Sequence, residues 1–324
     1  MLPNFTYVRA KSLVEAVRLL TAPGTRAHAG GTDLLGCLRD EVFTTERVVS
    51  LGALKELRGI SETPAGGVRI GALATIAEVA AHRTLRERYA VLAQAAASVA
   101  SPQLRNQGTI GGNICQRPRC WYFRGGFECL RKGGDTCFAI GGENQYHALF
   151  DGAGCCMVHP SDIAPALVAL DARVRIAGPG GASRTLPIGA FFVGPAQAVK
   201  KEHVLERNQL VTEILLPPAQ PGMRSVYRKV RARGSWDFAL ASLALSLVVT
   251  DGTVRHARIV LGAAAPIPWR AQAAEQAILG RRLTAEAVSA TAEAAMKGAE
   301  PLEKNAYKIP MFKGLIAEVL PALA

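Results

Sequence analysis

Six of the seven cysteines of this chain fall between Cys115 and Cys156. The stretch that holds them runs on to Asp162 and is otherwise built of paired glycines, arginines and lysines. A segment of that composition buries too little hydrocarbon to offset the entropy lost on ordering, so it needs another source of order. Ligation of a metal centre by thiolates supplies one. Cys120, Cys129 and Cys137 follow one another at spacings C-x8-C-x7-C, with the adjacent pair Cys155 and Cys156 further on. Zinc sites use closer C-x2-4-C pairs. An iron–sulfur cluster needs one sulfur per iron and sits well in a loop rich in N–H donors. Zinc, with His147 or His159 as further ligands, and disulfides in an oxidising compartment are the alternatives. Cys115 and Cys37 read as packed thiols.

A chain of 324 residues with 49% hydrophobic content has room for two or three domains. No stretch reaches the roughly 18 apolar residues of a membrane span, and no secretory leader is expected at the start. The formal charge of +12 raises the question of nucleic acid. Cations cluster only in Arg224–Arg233 and Arg117–Lys132, without a recognisable binding module, which argues against it. A basic face for an acidic partner subunit or a polyanionic cofactor is the better use of the charge.

Along the chain, residues 1–60 read as a small α/β unit with a helix from Leu13 capped by Ser12. A strand-like piece then runs into Gly30-Gly31-Thr32-Asp33 and a helical start at Leu34. Such a turn lets backbone N–H groups converge on an anion at a helix start, although a plain tight turn has the same signature. It carries neither the third glycine of a dinucleotide fingerprint nor a Walker lysine. Thr75 caps a helix, one long helix is expected over residues 84–101, and a second small-residue turn holds Gly108, Thr109, Gly111, Gly112 and Asn113. Two such turns suggest a ligand with two phosphates. Later come strands, a hairpin at Asp251-Gly252, and two amphipathic helices.

AGGTDL at 29–34, GALATIAEV at 71–79, LRNQGTIGGNI at 104–114, HPSDIAPALVAL at 159–170 and KNAYKIP at 304–310 stand in an order found in one family. By these motifs the whole chain resembles the FAD-binding (medium) subunits of the molybdenum hydroxylases, the group with xanthine dehydrogenase and carbon monoxide dehydrogenase. The resemblance implies an α+β fold. Residues 1–220 would be a two-subdomain FAD-binding domain, divided near residue 60, with an insertion at about 115–158. Residues 221–324 would be the α+β C-terminal domain of carbon monoxide dehydrogenase flavoproteins.

Carried over residue by residue, the resemblance implies that the backbone of Ala29–Leu34 (Ala29, Gly30, Gly31, Thr32, Asp33, Leu34) holds the FAD pyrophosphate, with His28 also among the cofactor-binding residues. Thr109, Gly111, Gly112 and Asn113 would form a second cradle with Ser101 nearby. Asp162 would bind the ribityl or adenosine part, Ile163 and Leu167 would pack by the flavin ring, and Lys229 would stand at its edge, with Arg228, Arg231 and Arg233 competing for that role. The insertion resembles the subset that carries a 4Fe–4S cluster, most closely the bacterial periplasmic aldehyde oxidoreductase type. Its ligands would be Cys120, Cys129, Cys137 and either Cys155 or Cys156, with Cys155 preferred. The implied partners are a molybdenum-cofactor large chain and a small chain with two 2Fe–2S clusters, in a heterotrimer that hands electrons to an external acceptor. A 4-hydroxybenzoyl-CoA reductase-type subunit, another xanthine dehydrogenase-like hydroxylase subunit and a self-contained flavin oxidase are the other readings. The compartment is periplasmic through a partner's export signal, or cytoplasmic.

Overall fold

In the computed structural model, residues 1–323 are described, and three sheets follow one another along the chain. The first sheet is parallel, with strands β1 (Thr6–Arg9), β2 (Thr25–His28) and β3 (Arg47–Ser50) in the order β1-β3-β2. The helix Leu13–Leu20 crosses over between β1 and β2, and Ser12 accepts the Glu15 N–H at its start. Its apolar stripe, Ala16, Val17 and Leu20, is buried against Val49 and Leu51, so the amphipathic pattern fixes the packing face.

The second sheet has five antiparallel strands in the order β4-β5-β8-β6-β7: β4 (Ile60–Glu62), β5 (Val68–Gly71), β6 (Arg173–Ala177), β7 (Ser183–Pro187) and β8 (Leu210–Leu216). Two helices, Arg83–Arg88 and Ala90–Ser98, stand where one was expected. Tyr89 breaks the run at φ −137° and ψ 50° because its ring is buried and its hydroxyl donates to Pro217 O at 2.7 Å. Thr75 and Glu78 form a reciprocal capping box ahead of the helix Ile76–Ala81.

The third sheet is a meander of β9 (Met223–Val230), β10 (Ala241–Thr250), β11 (Thr253–Gly262) and β12 (Trp269–Arg270). Asp251 and Gly252 make the β10–β11 turn, both with positive φ (52° and 72°). Helices Gln272–Ile278, Ala285–Ala295 and Lys308–Val319 cover the sheet and close its core. The last of these has no counterpart in the sequence reading. Pro310 falls in its first turn, where a missing N–H costs nothing. Among the described residues no helix is long and apolar enough to cross a membrane.

The cysteine-rich segment lies between the second and third sheets with almost no regular structure, a short helix Trp121–Arg124 apart. Its order has a physical source that the composition argument left out. Ion pairs and side-chain hydrogen bonds to three other parts of the chain hold it, and Phe123, Ala139, Leu149, Phe150 and Met157 supply buried apolar anchors.

Candidate cofactor site

A cavity of about 830 Å³ opens between the first and second sheets and the start of the cysteine-rich segment. Ala29 to Leu34 form one wall, Thr109, Gly111, Gly112 and Asn113 a second, and Asp162 closes one end. Close backbone approach makes this shape. A Cβ at Gly30 would lie 1.9 Å from Gln107 O, so the two turns pack against each other only with glycine there. Gly31 has φ +73°, and a Cβ on it would meet His28 Nε2 at 2.5 Å.

The two turns differ in what they offer a ligand. Among the described residues the N–H groups of Gly30, Gly31, Thr32 and Asp33 donate to no acceptor in the chain, which leaves them free for an anion. In the second turn Ile110 and Gly111 donate to Ala74 O and Ala72 O, while Gly112 and Asn113 donate to Thr109 Oγ1 and Thr109 O. The second turn therefore gives the cavity its shape rather than a set of open donors. A long ligand with one anionic section fits: donors on one wall, glycine surface on the other, and about 830 Å³ between them.

Other expected residues stand elsewhere. Ser101 caps the helix Pro102–Gln107 by accepting from Leu104 N and does not line the cavity. Ile163 and Leu167 are fully buried in the core of the second sheet, because the helix Ile163–Ala169 turns them inward, away from the lining. His28 lies behind Gly31 with its Nδ1 unpartnered, and burial pulls its pKa down. Lys229 is also outside the lining. Its Nζ donates to Asp162 Oδ2 at 2.7 Å, while Tyr227 Oη donates to Asp162 Oδ1 at 2.7 Å. Both oxygens of Asp162 are thus held from below. Burial raises its pKa, and the Lys229 charge opposes that rise.

A third wall went unrecognised in the sequence: the loop after the short helix Pro195–Ala198, with Lys200, Lys201, His203 and Arg207, faces the turns together with Arg26 and Arg117. Only its charge marks it. Arg26 stacks over Phe43 at 4.1 Å, and its pKa is lowered by burial and by the neighbouring Arg117 and Arg207. Trp236 and Phe238 complete the rim, Trp236 with a strained φ of 53° held by its N–H to Ala100 O.

Asp33 does not face the cavity as a free acid. It accepts from Arg117 N, Arg119 Nη1 and Arg124 Nη2, at 2.8, 2.6 and 2.8 Å. Burial alone would raise its pKa, but these partners outweigh burial and hold it below the ordinary value. Glu202 likewise pairs with Arg117 at 3.0 Å and Arg131 at 2.7 Å, with the Arg131 and Glu202 side chains only 1% and 3% exposed. The cysteine-rich segment is thereby pinned to two walls of the cavity.

Within that segment Cys120, Cys129, Cys137 and Cys155 line one enclosed space of about 20 Å³. Cys156 sits at its edge, turned toward Gly152 O at 3.6 Å and hydrogen-bonded to Cys137, whose pKa that bond lowers to about 5. Burial raises the Cys120 thiol to about 11. Cys115 and Cys37 are outside this space, raised by burial to about 12 and about 11. Among the described residues no three His, Cys, Asp or Glu side chains converge on a point that could hold a single metal ion. A second cavity of about 220 Å³ lies between the two sites. It shares Arg119, Pro160, Asp162 and Phe238 with the large cavity, and Cys120, His147 and Met157 with the cysteine site.

Residues 3–219 match the FAD binding domain in molybdopterin dehydrogenase, and residues 225–322 match the CO dehydrogenase flavoprotein C-terminal domain. The chain is 36% identical to the aldehyde oxidoreductase FAD-binding subunit PaoB of Escherichia coli (strain K12), over 98% of this chain and 97% of that one. It is 32% identical to the carbon monoxide dehydrogenase medium chain of Hydrogenophaga pseudoflava, over 93% and 89%. A solved structure of carbon monoxide dehydrogenase from that organism superposes with a TM-score of 0.79 at 31% identity, covering 100% of this chain and 98% of the other.

Proposed function

This chain belongs to the FAD-binding subunits of the molybdenum hydroxylase family, and from that premise we propose that it is the FAD- and 4Fe–4S-containing electron-transfer subunit of a heterotrimeric molybdenum-dependent aldehyde oxidoreductase. Its partners are a molybdenum-cofactor large chain, where substrate is oxidised, and a small chain with 2Fe–2S clusters that passes electrons to this subunit. An external acceptor takes them from it.

The observation that carries this reading is that three cavities adjoin through shared lining residues: Asp162 and Phe238 belong to both the large and the middle one, Cys120 and His147 to both the middle one and the cysteine site. FAD supplies the exchange between two-electron and one-electron chemistry, and a 4Fe–4S cluster supplies one-electron exchange. The free N–H groups of Gly30 to Asp33 bind the cofactor's anionic section, and Gly111 and Gly112 leave room for its body. Asp162, with both oxygens already held, orients the cofactor at the junction with the middle cavity.

Cys120, Cys129, Cys137 and Cys155 would hold the cluster. The donor set supports a cluster because the four thiols line one space. In a cluster each sulfur binds its own iron, so the sulfurs stand apart. The similarity to an aldehyde oxidoreductase subunit over nearly the full chain supports the aldehyde class.

Iron, acid-labile sulfide and flavin content of the anaerobically purified complex test the reading, with wild type beside Cys129→Ser. The expected result is about four irons and one FAD per chain, with iron lost and FAD retained in the variant. FAD without iron, or zinc in its place, would overturn the cluster assignment.

A further inference from the structure

His147 is buried, and its Nε2 lies 3.3 Å from Cys120 Sγ. Its other ring nitrogen, Nδ1, is enclosed with no hydrogen-bond partner. With Cys120 as a cluster ligand its sulfur is a thiolate that can only accept, so the contact then requires the tautomer with Nε2–H.

The backbone that carries the ring is held from a distant part of the chain. Asn305 Nδ2 donates to His147 O at 3.1 Å and to Ala148 O at 3.0 Å, and Lys308 Nζ donates to His147 O at 3.0 Å. Lys304 N donates to Asn144 Oδ1 at 2.9 Å, and Asn144 O accepts from His147 N at 2.9 Å. Tyr307 Oη donates to Gln145 O at 2.9 Å. Asn144, Asn305 and Lys308 have no exposed surface. The segment 304–308, which the sequence offers only as a landmark, is thus a clamp on residues 144–148 with His147 at its working end.

We propose that His147 donates its Nε2–H to the Cys120 thiolate of the iron–sulfur site and so raises the reduction potential of that site, with Asn305 and Lys308 as the positioning residues. The inference rests on the cluster assignment above. Its chemistry is electrostatic. A cluster held there would take up one electron, with reduced flavin as the donor, and no bond to protein would break. The added negative charge spreads onto the thiolates, and a fixed N–H donor stabilises the reduced state more than the oxidised one.

The test is a spectroscopically monitored redox titration of the whole complex, for wild type, His147→Phe and His147→Gln, with iron assayed in each. His147→Phe keeps the ring volume and removes the donor. At a fixed applied potential its reduced fraction relative to oxidised should fall about tenfold, a downward shift of about 59 mV for one electron. His147→Gln keeps an N–H donor and should stay nearer wild type. Loss of iron from His147→Phe, with His147→Gln loaded at the wild-type potential, also sustains the donor role. An iron-loaded His147→Phe at the wild-type potential overturns the inference and leaves the cluster assignment standing. Loss of iron from both variants makes His147 a structural support and overturns it as well. A wild-type complex without iron removes the cluster assignment itself, an outcome read from the wild-type assay alone.

Discussion

Asp33 and Arg119 meet at 2.6 Å, and this contact ties the glycine turn of the large cavity to the first residues of the cysteine-rich segment. Arg124 approaches the same Oδ1 at 2.8 Å, so one carboxylate holds two cations. Replacing it leaves both in a mostly buried space. Asp33→Asn should cost about 2 kcal/mol of stability, below the roughly 3–5 kcal/mol for breaking a fully buried pair because the carboxylate is not fully enclosed. It should also loosen FAD. Thermal melts and flavin content of the purified variant check both.

The same carboxylate predicts a pH dependence. Its folded pKa is depressed, so its contribution is fully present above the unfolded value near 3.8 and is lost as pH falls through the lower folded value. Wild type should therefore lose more stability than Asp33→Asn as pH is lowered below about 4. Parallel acid-unfolding curves for the two proteins would contradict the assignment.

Gly30→Ala tests the contact between the two turns. The new Cβ would land on Gln107 O, backbone against backbone, with no flexible side chain to yield. We expect FAD affinity to drop at least tenfold, about 1.4 kcal/mol, while the sheets stay folded. Flavin fluorescence titration against far-ultraviolet circular dichroism separates the two effects.

Lys229→Met would leave Asp162 buried beside Tyr227 without its hydrogen-bonded cation, Arg231 acting on it only through its charge. The loss should be about 3–5 kcal/mol, accompanied by loss of flavin. The double variant Lys229→Met/Asp162→Asn should regain part of the stability, because it removes the unpaired charge. Denaturant unfolding of the single and double variants measures this.

Cys155 lines the enclosed space, whereas Cys156 lies outside its lining, between Cys137 and Gly152 O. Cys155→Ser should therefore lose iron, and Cys156→Ser should retain it. Iron analysis of the two variants decides between the neighbours, and the opposite pattern would reverse the ligand assignment.

What could be read from the sequence was mostly local. The caps at Ser12 and Thr75 and the hairpin at Asp251-Gly252 are set by side chains within four residues, so their chemistry is visible in a short window. The glycine turn at 30–31 was visible for the same reason. Tyr89 was not, because the contact that breaks its helix comes from Pro217, far along the chain. Ser101 carries the signature of a ligand-binding hydroxyl and of a helix cap alike, and the cap to Leu104 N is the contact the structure shows. Ile163 and Leu167 follow the Asp162 that reaches the cavity, yet helical geometry points them into the core. The third wall stayed hidden because Lys200, Lys201 and Arg207 form no pattern until β8 brings them opposite the turn.

The clamp formed by residues 304–308 also sets an order of events. A ribosome releases residues 115–158 well before residues 304–308, so the nascent cysteine-rich segment exists for a time with its thiols reachable and its latch unmade. Residues 304–308, far downstream of that segment, are the ones that fasten Asn144 and His147. The clamp on this segment therefore cannot close before residues 304–308 are made, which couples it to the C-terminal domain that carries them.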